Sequence, residues 1–112
     1  MGSPRILLIS SDAELAGAIA QPMLNAGCDV RIRSALFEAP TSEPRFDCTV
    51  LDLEALPEAD HLAIAACIRL HPVLLIADRV PEHLREWVVG QIAPNSAVRT
   101  AVDAVRTVVA RQ

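Results

Sequence analysis

Lysine and tyrosine are both missing from the 112 residues, and aromatic residues of any kind make up only 3%. All ten basic side chains are therefore arginine, set against fourteen acids for a formal net charge of −4. That balance argues against direct nucleic-acid binding by this domain, because neutralising phosphates over a whole face needs a basic field. No apolar run approaches the roughly twenty residues that cross a bilayer, so no membrane role is expected. Cysteine is sparse and scattered: Cys28, Cys48 and Cys67 form no C-x-x-C pair, and no signal-peptide pattern precedes them. The thiols read as buried and structural, in a protein of the reducing cytoplasm. A redox role would require one to be exposed with a depressed pKa. His61, His71 and His83 are spaced too widely for a compact metal motif and read as surface or capping residues. Ser10 and Ser11 have neither a nearby base nor a glycine-rich phosphate loop, so an enzyme is not expected.

What is present is a rhythm of short apolar runs. With 52% hydrophobic and 21% charged residues, the chain is suited to one globular domain over 1–112, large enough to bury a core without metals or disulfides. Arg5 to Ile9 is a continuous apolar run, the mark of a strand buried on both faces of a parallel sheet. Ser11 and Glu14 have the form of a capping box, followed by Leu15, Ile19 and Met23 at helical spacing up to Gly27, with Pro22 expected to kink or loosen the last turn. Asp29 to Arg33 predicts a second strand. The proline-rich stretch from Ala39 to Arg45 predicts a loop that leaves room for only a very short second helix. Cys48 to Leu51 is a third strand ending at Asp52, with a helical pattern through Leu62, Ala65, Ala66 and Arg69 after Pro57. Val73 to Ile76 is a fourth strand. Pro81 suits the first turn of a helix through Val88, Gln91 to Ala93 a brief fifth strand, and Asn95 or Ser96 the cap of a last helix. That last helix carries an apolar stripe of Val98, Val102, Val105 and Val109.

Strands alternating with helices predict a doubly wound, five-stranded parallel α/β sheet. Its functional crevice should lie beyond the C-terminal strand ends, where Ser10, Ser11, Asp52, Ala77 and Ala93 collect.

Two segments then resemble bacterial response-regulator receiver domains, the CheY-like branch of the flavodoxin-like architecture. Arg5-Ile-Leu-Leu-Ile-Ser-Ser-Asp-Ala-Glu-Leu15 is similar to the family's opening, where an acidic pair follows the first strand. Phe46-Asp-Cys-Thr-Val-Leu-Asp-Leu53 is similar to its third strand and phospho-acceptor. The resemblance spans essentially the whole chain, but the interval from Asp52 to Ala93 is shorter than usual for the family. The third and fourth helices are therefore expected to be shortened.

The resemblance implies a site from which most parts are gone. The family's acidic pair and acceptor aspartate hold magnesium, a hard cation that takes several oxygens. Here the pair positions are Ser10 and Ser11, and no two acids are adjacent anywhere in the chain. The family's lysine position is Ala93, its switch hydroxyl is Ala77, and its switch aromatic is Gly90. Only Asp52 persists, read here as a vestigial phospho-acceptor. Asp12, Asp52 and Glu54 form a weak alternative oxygen set for magnesium. Without a cation, clustered carboxylates raise one another's pKa and make a candidate proton sensor.

The expected function is a pseudo-receiver in bacterial signal transduction, without a cofactor, binding a protein partner or a second copy of itself. Its interface is expected on the fourth helix, fifth strand and fifth helix, with Arg85, Trp87, Arg99 and Arg106 as candidates. Trp87 either packs inward or anchors a partner. The chain ends directly after a helical pattern, as an N-terminal module of a longer regulator would, and it broadly resembles the pseudo-receivers of antiterminator regulators. The rival readings are a phospho-accepting switch using Asp52 and a flavodoxin-like domain binding a small molecule at the serine-lined edge.

Overall fold

A computed structural model describes residues 3–33, 46–52, 72–80, 82, 85 and 88–111. Five parallel strands form one sheet: β1 (Arg5–Ile9), β2 (Asp29–Arg33), β3 (Cys48–Asp52), β4 (Val73–Ile76) and β5 (Val88–Ile92), in the order β2-β1-β3-β4-β5. Two described helices, α1 (Ala13–Asn25) and α2 (Ala97–Ala110), accompany it. The expected doubly wound sheet is present, and β1, β2 and β4 have the bounds that their apolar runs predict. The predicted second and third helices, nearly all of the fourth, and the Ala39–Arg45 loop lie outside the described residues.

The three central strands explain the continuous apolar runs. Ile6 to Ile9, all of β3 and all of β4 are buried, because both faces of the sheet are covered. Strand alternation sends Ile6, Leu8, Cys48, Val50, Leu74, Ile76 and Ile92 to one face, where they pack on Ala16, Ile19 and Met23 of α1 and Ala97, Ala101 and Val105 of α2. Leu7, Ile9, Leu51, Val73, Leu75 and Ala77 form a second cluster with Phe46. The edge strands differ. In β2, Arg31 and Ile32 are exposed, and in β5 only Ile92 is buried. The charged side chains of β2 suit an edge that must not pair with other chains.

At the N-terminal strand ends, a polar clasp joins β1, β2 and the approach to β3. The Arg5 backbone N–H donates to Asp47 Oδ2 at 2.8 Å, and its guanidinium lies 5.3 Å from the Phe46 ring centroid. Asp29 sits 3.8 Å from both Arg5 and Arg31. These half-exposed pairs contribute about 0–1 kcal/mol each, so the clasp fixes alignment more than it stabilises.

Four local expectations are corrected. The first helix is capped by Asp12, whose Oδ1 accepts from Leu15 N–H at 3.1 Å, and not by Ser11, because Ser10 and Ser11 carry the chain off the strand end before the helix begins. That helix contains Pro22, as its spacing predicts, and ends at Asn25, since a proline so near the C-terminus forfeits a single backbone bond. The segment through Val88 that the proline spacing suggested as helix is already strand at Val88, and β5 ends at Ile92 with Ala93 outside it. Pairing with β4 overrides local preference there. The inward stripe of the last helix is Ala97, Ala101 and Val105 with Val102, Val108 and Val109 flanking, and Val98 is exposed. Small alanines let the helix approach the sheet where valine would hold it off. Ser96 stands at the N-cap position, but its hydroxyl donates to Ala93 O at 3.3 Å and caps nothing.

Helix α1 closes with a Schellman motif. Cys28 N–H donates to Met23 O and Gly27 N–H to Leu24 O, both at 3.0 Å, with Gly27 at φ 92° and the buried Met23 and Cys28 supplying the apolar contact. A Cβ at that φ is strained whatever the surrounding space. Gly27→Ala is therefore expected to lower stability by about 1–2 kcal/mol, read as a reduced urea midpoint at unchanged m-value.

Candidate functional site: the C-terminal edge of the sheet

The parallel register pairs Ile9 with Leu51, so the next residues along, Ser10 and Asp52, meet at the strand ends. Both are buried, at 2% and 4% exposure. Ser10 Oγ donates to Asp52 Oδ2 at 3.0 Å, and Ser10 Oγ in turn accepts the Asp12 backbone N–H at 3.1 Å. A second approach of Ser10 Oγ, to Asp12 O at 3.4 Å, is longer. The hydroxyl has one proton, and the shorter, charge-assisted bond to the carboxylate is the better use of it. Ser10 thus closes a small ring that ties β1, β3 and the start of α1.

The donor set does not fit a magnesium ion. Asp52 is a single buried carboxylate with Oδ2 engaged by a hydroxyl donor, and Asp12 uses Oδ1 to cap α1. A hard dication needs several anionic or carbonyl oxygens converging on one point. Among the described residues no three His, Cys, Asp or Glu side chains converge on such a point. Glu54, the third candidate oxygen donor, lies outside the described residues. Ser11 is exposed at the same edge.

The positions corresponding to the switch take other roles. Ala77 is buried, and its N–H donates to Ile92 O at 3.1 Å. Gly90 pairs in register with Leu74, and a Cβ built on it would come 2.8 Å from Leu74 Cδ2. The Leu74 side chain would therefore have to shift to admit a Cβ at position 90. Ala93 is exposed, in extended backbone ahead of Pro94. One polar residue escaped the sequence reading. Gln91, taken only as part of a strand, places Nε2 2.7 Å from Ala77 O and 2.8 Å from Asp78 O. An amide amid apolar residues in a short edge strand was its only signal.

Of the interface candidates, Arg85 is exposed and lines an open cleft of about 380 Å³ with Asp78, Arg79, Val80 and Val88 to Gln91. Arg99 and Arg106 are exposed on α2 and are not among that lining. The Arg106 charge acts on Cys28, partly opposing the rise in thiol pKa that burial causes. Trp87 lies outside the described residues. Cys48 is pushed up to about 12, by burial first and the Asp47 carboxylate second, against a backbone hydrogen bond from Leu74. Neither described thiol has the exposed, acidified character of a reactive cysteine, and Cys67 lies outside the described residues.

This sheet, with strand order β2-β1-β3-β4-β5 and an aspartate at the end of β3, is similar in fold to solved structures. A response regulator from Thermotoga maritima superposes with a TM-score of 0.76 at 15% identity, covering 96% of this chain and 98% of that one. This is the receiver fold. A receiver protein from Burkholderia phymatum agrees as well, with a TM-score of 0.76 at 18% identity over 96% of both chains. A protein of Burkholderia pseudomallei described as pilus assembly-related has the same receiver fold, with a TM-score of 0.73 at 22% identity over 98% of this chain and 92% of that one. No family model and no curated protein matches the sequence.

Two substitutions test this geometry. Ser10→Ala leaves a buried carboxylate oxygen and the Asp12 N–H without their partner and should cost about 1–3 kcal/mol by chemical denaturation. Gly90→Tyr should cost a similar amount, about 1–3 kcal/mol, through overpacking against Leu74.

Proposed function

We propose that this chain is a signalling interaction module of receiver fold, a pseudo-receiver that works by protein contact or self-association and not by aspartyl-phosphate chemistry. The observation that carries the reading is the buried Ser10–Asp52 hydrogen bond. The carboxylate that would take a phosphoryl group is tied to a neutral donor. The chain also has no lysine to offset added phosphate charge. Phosphoryl transfer depends on cations placed around the transferred group, and the residue at the family's lysine position is Ala93.

No catalytic role and no cofactor is assigned. The partner is a protein or a second copy of the chain, and the β5 side is the proposed contact surface. Val89 is half exposed there, beside the cleft that Arg79 and Arg85 line. Arg99, Arg106 and Trp87 remain candidates outside the described cleft. The partner need not be a transcription effector, since the same fold occurs in the pilus assembly-related protein. Among the described residues no helix is long and apolar enough to cross a membrane.

The test compares the intact chain with Asp52→Asn after treatment with acetyl phosphate, by intact-mass spectrometry, with magnesium and beryllofluoride titrations followed by NMR. The expected outcome is no adduct on either protein and no saturable magnesium response. A magnesium-dependent adduct on the parent, absent from Asp52→Asn, would overturn the proposal and restore the phospho-accepting reading.

A further inference from the structure

Among the described residues β5 pairs with β4 alone, and the turn after β4, residues 77–79, belongs to no helix or strand. Ala77 is buried, so its carbonyl needs a protein partner, because an unpaired carbonyl at a buried strand end is costly, while Asp78 is exposed. Gln91, itself exposed on β5, reaches both carbonyls. An amide nitrogen carries two hydrogens, and Gln91 gives one to Ala77 O at 2.7 Å and one to Asp78 O at 2.8 Å. A third link runs through the backbone, from Ala77 N–H to Ile92 O at 3.1 Å. Residues 91 and 92 therefore hold the end of β4 from the β5 side.

We infer that Gln91 is a latch, holding the turn after β4 in one arrangement whatever the state of Asp52. Ala77 has no side-chain polar atom to tie this turn to the Asp52 edge, so the described side-chain links to its carbonyls all come from Gln91. The turn leads into Val80, and Asp78, Arg79 and Val80 line the same open cleft as Val88 to Gln91. The latch thereby ties the Asp78–Val80 part of that lining to the β5 part. It is a positioning residue. It also goes beyond the functional proposal above, because the turn is held whether or not a partner docks on β5.

The variants that isolate it are Gln91→Ala, which removes both donors, and Gln91→Glu, which keeps the shape but as a carboxylate has no proton to donate. The charged groups around the position are Asp78, Arg79 and Arg85. Asp78 disfavours a new carboxylate there, and the two arginines favour its ionised form, which has no hydrogen to give to either carbonyl. Backbone 15N relaxation is measured on the parent, both variants and Asp52→Asn, at neutral pH and below the glutamate titration range. In the parent and Asp52→Asn, order parameters for 78–80 should be near about 0.85. They should fall below about 0.6 in both variants at neutral pH. On acidification the Gln91→Glu variant regains a donor and should recover rigidity, whereas Gln91→Ala should not.

A readout that needs no variant accompanies this. The Gln91 side-chain amide hydrogens of the parent should exchange with solvent about ten-fold more slowly than those of Gln21, whose partner is the exposed Asn25. Unchanged order parameters in both variants, or, should the variants fail to fold, Gln91 exchanging as fast as Gln21, would overturn the latch. The two proposals fail separately. An aspartyl-phosphate adduct that leaves 78–80 rigid defeats the pseudo-receiver reading alone. Mobility in the parent, or in Asp52→Asn without an adduct, defeats the latch alone.

Discussion

Burial of β1, β3 and β4 on both faces is the constraint from which the other features follow. With Ile6 to Ile9, Cys48 to Asp52 and Val73 to Ile76 all removed from water, the central strands have no polar face along which to slide. A one-residue slip would exchange their two apolar clusters and misalign every side chain packed on α1 and α2. The register that survives sets Ile9 beside Leu51 and brings Ser10 to Asp52. The candidate site is thus a consequence of hydrophobic packing several residues away.

A carboxylate delivered to a buried strand end must be solvated by something. Cations and water are the solution in a phosphorylated switch. Here a serine hydroxyl and the capping arrangement around Asp12 take that role, making the edge a structural knot of β1, β3 and α1. The turn after β4 is handled in the same manner, by Gln91. The Ser10 bond to the Asp52 carboxylate is charge-assisted, worth about 1.5–3 kcal/mol net, and the Gln91 bonds are neutral, worth about 0.5–1.5 kcal/mol each, and none depends on a transferred group.

Much of the architecture was legible because strand burial leaves a direct trace in sequence. The apolar runs at 5–9 and 73–76 translate into strands of those bounds, and the loss of acidic pair and lysine is a matter of composition that no tertiary contact alters. Legibility failed where local and long-range preferences conflict. Val88 and Val89 fit a helix begun by a proline as well as a strand, and β4 pairing decided for the strand. The stripe on the last helix was read through its valines, yet the inward line runs through alanines, because closeness to the sheet rewards small side chains. Ser11 looked like a cap only while the exit path from β1 was unknown.

The sequence by itself determined the class of fold and the absence of the acidic pair and the lysine that a receiver's chemistry requires. These depend on periodicity and composition, which are local properties of the chain. Tertiary structure alone decided that Ser10 reaches Asp52, that Leu74 lies against Gly90, and that Gln91 spans to Ala77 and Asp78. Those contacts join residues 42, 16, 14 and 13 positions apart, and only the parallel register of the packed sheet brings them within reach.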